Sequence, residues 1–329
     1  LPNGLRPNIE DGHLSNFYGH YLASVDAGAV LGELCQRALL AHYTPETARW
    51  LAALAGGEIP ESLVDETGQP MDQAVAMLRK SYRFREDSGI RAFAEAVNTN
   101  ALDNAMLRQI RQAEFDDVIL LNSRSKSGDT EDTLDLVCRH AITGSPEAFR
   151  NAGQGRQVNG QSLPPPVGYR HYLERLQNHG LNENSPREDW DAMAVQLLEA
   201  FSDFQVLCAL RKGPWGVEGL NDRIARQLLA EKLIPRAEGW YEGRPVLITG
   251  NDYNLGLMNG DVGLTLPHPD GLRVAFQLPD GRIKWVLPSR LDSADTVYAM
   301  TVHKAQGSEF GHTLLVLPDH PHPLLTREL

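Results

Sequence analysis

The sequence predicts an α/β protein that carries a small antiparallel β module as an insert. Two apolar segments, residues 296–300 and 313–317, flank the polar, glycine-containing residues 301–311. This pattern is typical of a loop at the carboxyl end of a parallel strand. Between residues 245 and 287, short segments alternate apolar and polar side chains around the hairpin signal Asn259-Gly260. Because a lone hairpin does not bury its face, we expect these strands to form a small barrel.

Composition narrows the class of protein. The 329 residues, 42% hydrophobic and 22% charged, predict an ordinary folded protein of about two domains. Thirty-one basic and 43 acidic residues give a net charge of −12, so any nucleic-acid contact must use a local basic surface. Three widely spaced cysteines favour a cytoplasmic location over a disulfide framework. No apolar run approaches the roughly 18 residues that a membrane span needs, so no membrane partner is expected.

Local signals place the remaining elements. Residues 22–55 have helical periodicity, in which Thr44 is a predicted N-cap, Pro45 the first helical position and Gly56-Gly57 the stop. The other predicted elements, in order, are a helix over residues 71–78, a helix over 90–113, a buried strand over 118–121, a surface excursion near 141–168, a helix over 190–204, a strand over 205–210 and a helix over 220–229.

Residues 301–310, TVHKAQGSEF, carry the most specific chemistry. Gly307 has no Cβ, so its backbone can approach a phosphate closely. Glu309 accepts hydrogen bonds and suits a ribose hydroxyl. Three further side chains offer donors for phosphate or sugar oxygens: Thr301, His303 and Gln306. From these residues alone, a polar surface loop with a helix cap at Ser308 is at least as good an interpretation.

Residues 299–310 resemble motif V of superfamily 1 helicases, in the RecD form of the exonuclease V (RecBCD) alpha subunit. Four other segments are similar to that family in the same order. They are residues 22–31, which resemble the stretch after motif III; residues 78–90, which resemble motif IV and contain Tyr82-Arg83-Phe84; residues 205–221, with Gly213 and Gly216; and residues 243–263, which resemble an SH3-like insert. The match covers most of residues 22–329 apart from 141–168, and the five ordered segments together are specific.

The resemblance implies a RecA-like, P-loop-NTPase-type second motor domain (2A) with an inserted SH3-like β-barrel (2B). The implied divisions are residues 1–70, a remnant of the first motor domain with linking helices; 71–239, the first part of 2A; 240–290, the 2B insert; and 291–329, the second part of 2A with motif V.

The resemblance also implies an activity: ATP-dependent 5′-to-3′ movement along single-stranded DNA, as the helicase subunit of a RecBCD-type exonuclease V in double-strand-break repair and recombination. ATP and Mg²⁺ are the implied cofactors, and DNA with RecB- and RecC-like subunits are the implied partners. At matching positions, Arg83 reaches the γ-phosphate as the catalytic residue, and Gln306, Gly307 and Glu309 contact the nucleotide. The implied DNA contacts are Thr301, His303 and Lys304, with Arg273 and Lys284 of the insert; no metal ligand is implied.

The sequence departs from the family pattern in its nucleotide site. No lysine follows a glycine, so the Gly-Lys-Ser/Thr phosphate loop is absent. Asp65-Glu66, the one Asp-Glu pair, lies in a polar linker and does not suit the magnesium-holding motif II. Residues 17–21 replace the expected Gly-Asp-x-x-Gln. We therefore expect the carboxy-terminal part of a RecD-like helicase, which alone neither holds ATP nor hydrolyses it.

Two other functions compete with this one. The first is a non-catalytic module that binds DNA or a partner subunit through the β insert and the motif V segment. The second is a scaffold for proline-rich peptides, which is disfavoured because the barrel is an insert and has no evident aromatic groove.

Overall fold

The computed structural model describes residues 35, 37, 38, 40–76, 87–121, 130–158 and 161–325. Residues 78–86 of the motif IV segment, which include Arg83, and the segment after motif III lie outside these residues. Contacts divide the chain into two compact units. One comprises residues 1–103, 158–161 and 326–329, and the other residues 104–157 and 162–325. The predicted 2A and 2B boundaries stay predictions.

The first unit contains helix α1, Pro45–Ala55, which forms as its local signals predict. The Thr44 hydroxyl accepts a hydrogen bond from the Thr47 amide, and Pro45 occupies the first turn. Gly56 ends the helix in the left-handed conformation, with φ 69°. The predicted cap, start and stop are all confirmed.

The predicted helix over residues 90–113 is wrong, because two helices form in its place. They are α2, Gly89–Asn98, and α3, Asn104–Arg111. The Asn98 side chain donates to the carbonyl of Ala94, and Asn100 takes a left-handed conformation with φ 55°. Short polar side chains of this kind hydrogen-bond to the local backbone and favour helix ends over helix interiors.

Two predicted elements in the middle of the chain also differ. Residues 118–121 form no strand, and Leu120 is exposed, because a short apolar run does not distinguish a strand from a loop. Within the predicted helix over residues 71–78, the described part holds one short 3₁₀ turn, Asp72–Ala74. The excursion near 141–168 lies only partly on the surface, because Phe149 is buried there.

The second unit is built on a parallel sheet of three strands, in the order β10-β3-β9. The strands are β3 (Phe204–Cys208), β9 (Ala299–Thr301) and β10 (His312–Val316). Four helices of this unit contribute buried side chains to its core: α4 (Thr130–Thr143), α5 (Arg170–Gln177), α6 (Arg187–Ser202) and α7 (Val217–Ala230). Two short strands, β1 (Gln157–Val158) and β2 (Gln161–Ser162), precede α5. The predicted mixed α/β architecture with a parallel sheet is confirmed.

An antiparallel sheet follows in the chain, with the order β7-β6-β5-β4-β8. Its strands are β4 (Pro245–Ile248), β5 (Val262–Leu266), β6 (Arg273–Gln277), β7 (Ile283–Val286) and β8 (Ala294–Thr296). The predicted single strand over residues 296–300 is therefore divided between two sheets, β8 in one and β9 in the other. Between them the Tyr298 carbonyl accepts hydrogen bonds from Gln205 and Tyr169, which hold the chain at the crossing.

Both faces of the antiparallel sheet are buried. Val246, Val274 and Phe276 join a small core of their own, whereas Leu247 and Ala275, at the alternate positions, join the main core. The side chains thus alternate between the two faces of the sheet, as the sequence predicts. Each face packs against a separate group of apolar side chains. Closure into an SH3-like barrel stays a prediction.

His312, the first residue of β10, gives the fold a pH dependence. Its ring lies 5.5 Å from the ring of Phe149 and 5.6 Å from that of Phe204, measured between centroids. Burial, with a smaller effect from Arg156, lowers the pKa of His312 from 6.5 to about 4. As the pH falls below 6.5, His312 becomes protonated in the unfolded chain, whereas in the folded chain it stays neutral until about pH 4. We expect the free energy of unfolding to fall over this range by up to about 3 kcal/mol from this group.

Urea unfolding at pH 7 and pH 4.5 checks this expectation. His312→Phe keeps an aromatic ring but removes the titration, so the variant should lose less stability than the wild type between the two pH values. Equal losses in both proteins would contradict the assignment to His312.

Candidate functional site

Residues 301–311, called the site loop, begin at the last residue of β9, at the carboxyl edge of the parallel sheet. The Val302 amide donates to the Cys208 carbonyl at 3.0 Å, which fixes the loop to the neighbouring strand. Successive turns follow, in which the Lys304 amide donates to the Thr301 carbonyl and the Ser308 amide to the Ala305 carbonyl, both at 3.0 Å. The site loop is therefore a compact set of turns held by its own backbone.

Gly307 shapes the outer face of the site loop. It has a φ of 84°, which L residues rarely adopt, and no heavy atom lies within 4 Å of the position a Cβ would take. The residue is exposed. Its backbone is therefore open to an approaching ligand, as the phosphate interpretation requires.

The predicted site residues of the loop differ in how exposed their side chains are to solvent. Thr301 is buried, and its hydroxyl accepts a hydrogen bond from the Lys304 amide at 3.3 Å, so it holds the turn. His303 is half-buried. The Lys304 ammonium is exposed and donates to Asn259 Oδ1 at 2.8 Å. The remaining nucleotide candidates are exposed: Gln306, Gly307 and Glu309. The loop brings these positions together, and their roles stay predictions.

A second loop, residues 209–216, follows β3 and leads into α7. Since β3 and β9 are adjacent and parallel, their carboxyl ends lie at the same edge of the sheet. The loop exposes Arg211 and Lys212 and buries Trp215. Gly216 is required for the tight turn, because a Cβ there would lie 2.5 Å from the Lys212 carbonyl oxygen. These two cations were not predicted; the available signal was a basic pair directly after a buried strand.

Asn221 of α7 fixes the two loops to each other through the backbone of β9. Its Nδ2 donates to the Ala299 carbonyl at 3.0 Å, and its Oδ1 accepts from the Ala299 amide at 2.9 Å. The side chain is buried. The helix that follows Arg211 and Lys212 is thus hydrogen-bonded to the strand that leads into the site loop.

Arg273 and Lys284 do not share a face of the antiparallel sheet. Lys284 pairs with Phe276, so their side chains lie on the same face of the sheet. Arg273 is three residues before Phe276 on β6, and because side chains alternate along a strand it lies on the other face. The Lys284 ammonium donates to the Leu255 carbonyl, and Arg273 donates to the Leu272 carbonyl at 2.9 Å. One DNA path along a single face does not pass both side chains, so their DNA contacts stay separate predictions.

Two hollows lie beside the antiparallel sheet, and the first of them also borders the site loop. The first, of about 220 Å³, is lined by Lys304 and Ser308 of the site loop, by Gly260 of the connection before β5 and by Gln277 of β6. The second, of about 440 Å³, lies between residues 256–261 and 276–281, and Gln277 also lines it. Gln277 therefore lines both hollows.

Arg83 lies outside the described residues, so its distance from Gly307 and Glu309 is not defined. Among the residues that the structure describes, no group of three or more His, Cys, Asp or Glu side chains is placed to hold a metal ion. In the same part of the chain, no helix has the length and apolarity that crossing a membrane requires.

The helices and the parallel sheet define the chain as an α/β protein with a polar loop at the sheet edge. No family model matches the chain. It is 32% identical over 310 residues to RecBCD enzyme subunit RecD of Haemophilus influenzae, covering 94% of this chain and 42% of the relative. Against subunit RecD of Mycolicibacterium smegmatis the identity is 29% over 324 residues, with coverages of 96% and 48%.

Two further similarities are more limited. The ATP-dependent RecD2 DNA helicase of Deinococcus radiodurans is 37% identical over 142 residues, covering 42% of this chain and 19% of the relative. A solved structure of Pif1 helicases at forked DNA covers 45% of this chain and 40% of its own, with 17% identity and a TM-score of 0.22, too low to support an argument about fold.

These comparisons identify the chain as a RecD-like sequence, related to the RecD subunits over almost all of its own length. The chain spans less than half the length of these two RecD subunits, although they match almost all of the chain.

Proposed function

We propose that this chain is part of a RecD-type DNA helicase, an ATP-dependent 5′-to-3′ translocase that acts in a RecBCD-type exonuclease V. One observation carries the proposal: the residues matching motif V form a compact loop at the carboxyl edge of a parallel sheet, beside exposed Arg211 and Lys212. Sequence identity to RecD subunits along almost the whole chain supports it. Repair of double-strand breaks and recombination are the proposed processes.

The site loop supplies one side of an ATP site in this proposal. Gly307 presents open backbone to the phosphates, and Gln306 and Glu309 lie on either side of it, with Glu309 suited to the ribose. The other side needs the Gly-Lys-Ser/Thr loop, whose amides and lysine hold the phosphates and whose hydroxyl binds Mg²⁺. This chain contains no such sequence. Its residues therefore fit half of the nucleotide site, and Arg83 is the proposed γ-phosphate contact.

The DNA surface is proposed to lie at the same sheet edge. Lys304, Arg211 and Lys212 provide positive charge there, within a chain of net charge −12. Charged contacts to phosphates position a strand without reading its sequence. RecB- and RecC-like subunits are the proposed partners, and the cytoplasm the proposed location.

A non-catalytic DNA- or subunit-binding module is the second candidate. The lack of any lysine after a glycine favours it for the 329-residue chain taken alone. The two candidates agree on DNA binding and differ in ATP turnover, which depends on whether the site loop meets a complete phosphate-binding domain.

Replacing Glu309 with alanine in a RecD-type protein that has both motor domains should lower DNA-stimulated ATP hydrolysis. The loss of one charge-assisted hydrogen bond costs about 1.5 to 3 kcal/mol, which corresponds to a rate about ten- to 150-fold lower. Arg83→Ala should act in the same direction. Steady-state ATPase assays with single-stranded DNA measure both effects.

Glu242→Ala is the matched control, because it removes an exposed acid of the same unit outside the site loop. The 329-residue chain is the second control and should show no DNA-stimulated turnover. Wild-type rates in both the Glu309 and Arg83 variants, or turnover by the 329-residue chain, would contradict the proposal.

A further inference from the structure

Tyr253 of the antiparallel module is the most exposed large hydrophobic side chain in the described residues, at 80%. The loop that carries it is nevertheless fixed. Asp252 and Leu257 exchange backbone hydrogen bonds at 2.8 and 3.0 Å, and the Asp252 carboxylate accepts from the Leu255 amide at 2.9 Å. Leu255 and Leu257 are buried in the small core of the module. The Tyr253 ring therefore projects into solvent from a rigid base.

A chain of hydrogen bonds joins Tyr253 to the site loop. Asn251 Nδ2 donates to the Tyr253 hydroxyl at 3.3 Å, and Asn251 Oδ1 accepts from the Asn259 amide at 2.8 Å. Asn259 Oδ1 in turn accepts from the Lys304 ammonium at 2.8 Å. The exposed aromatic ring and the site-loop cation are thus connected through two asparagines.

The two hollows also share a lining residue. Gln277 lines both the hollow beside Lys304 and the second hollow, which is bounded by Gly256 and Met258 of the Tyr253 loop. The Lys284 ammonium lies behind that loop, 3.7 Å from where a Cβ on Gly256 would be. A strand that leaves the site loop therefore meets the Tyr253 loop, with a lysine close to each end of the path.

From this arrangement we propose that Tyr253 stacks on an unpaired base of single-stranded DNA after the strand has passed Lys304. The inference rests on the proposed function, because it takes the DNA surface at the site loop as given. In this proposal Tyr253 contacts a DNA base, whereas the lysines of the module would contact only the DNA phosphates.

The chemistry of the surface favours a base over a phosphate at this point. Asp261, which lines the second hollow, directs its carboxylate to the Met258 amide at 2.8 Å, and a carboxylate repels a phosphate. An uncharged base is not repelled, and a tyrosine ring stacks on any base without regard to sequence. The exposed Lys304 at the start of the path provides positive charge for a neighbouring phosphate. If Tyr253 bound a partner subunit instead, a connection to the positively charged Lys304 of the site loop would not be needed.

Fluorescence anisotropy with two labelled oligonucleotides tests the inference on the 329-residue chain. One is an oligothymidylate, and the other is an abasic strand of the same length with the same phosphates. Tyr253→Ala should weaken binding of the oligothymidylate by at least about fivefold, because stacking on one aromatic ring contributes about 1 to 3 kcal/mol. The same variant should bind the abasic strand within twofold of the wild type. Tyr253→Phe, which keeps the ring, should bind both strands as the wild type does.

Three results would overturn the inference. Unchanged oligothymidylate affinity in Tyr253→Ala would mean that the ring does not contact a base, and would leave the proposed DNA surface intact. Equal losses for both strands would assign the effect to the backbone or to the fold. Failure of the wild-type chain to bind either strand would overturn the proposed function together with the inference.

Discussion

Replacing Asn221 with alanine is expected to destabilise the second unit by about 3 kcal/mol. Three hydrogen bonds are lost: those with the Ala299 amide and carbonyl, and that with the Val217 carbonyl. The Ala299 groups lie in a region closed to water, so their hydrogen-bonding capacity is left unsatisfied. An unpaired buried polar group costs about 1 to 3 kcal/mol, more than the net gain from an ordinary hydrogen bond.

The same substitution should also affect the site. Ala299 lies two residues before Thr301, so a loosened β9 changes the position at which the site loop begins. Asp222→Ala is the matched control, because it alters the next residue of the same helix at an exposed position whose ion pair with Arg226 contributes little. Urea unfolding measures both variants. A loss of less than about 1 kcal/mol in Asn221→Ala would contradict the role assigned to the side chain.

Local rules predicted the elements whose causes are local. Thr44 begins α1 because its side chain accepts a hydrogen bond from a first-turn amide. Gly56 ends the helix because glycine readily adopts the left-handed conformation. Asn259-Gly260 forms a turn, with Gly260 at φ 105° and the Asp261 amide donating to the Met258 carbonyl. The predicted two-residue hairpin is wrong, because residues 249–261 connect β4 to β5. Alternation within β6 likewise appeared as predicted, since its two sets of side chains pack on different cores.

Elements that depend on long-range packing were not predictable in this way. Residues 296–300 form one apolar run, yet Thr296 and Ala299 belong to different sheets. That division is set by Tyr169 and Gln205, which are far from the run in sequence and contact the Tyr298 carbonyl. Periodicity within five residues contains no information about such partners.

The candidate site was predicted in its main loop but not in its surroundings. Gly307 and Glu309 could be proposed from the sequence because their chemistry and their resemblance to motif V lie in one short segment. Arg211 and Lys212 become relevant only because β3 and β9 are neighbours, and strand order is a property of the fold. The separation of Arg273 from Lys284 required the register of β6 with β7.

The second large effect concerns salt. We expect the 329-residue chain to bind single-stranded DNA with an affinity that falls about twentyfold between 50 and 200 mM monovalent salt, if Lys304, Arg211 and Lys212 each neutralise one phosphate. Each such contact to a single strand adds about −0.7 to the slope of log affinity against log salt concentration, so three give about −2.

The triple substitution Arg211→Ala, Lys212→Ala, Lys304→Ala tests this most directly, because it removes the charge without touching the buried residues that hold the two loops. A matched control replaces three exposed arginines of the same unit, Arg175, Arg226 and Arg236, and lowers the net charge equally. The measurement is oligonucleotide affinity titrated over a range of salt concentrations. Loss of most of the salt dependence in the first variant, with the control close to wild type, is the predicted result. Equal slopes in the two variants, or no binding by the wild-type chain, would show that this sheet edge is not a surface for single-stranded DNA.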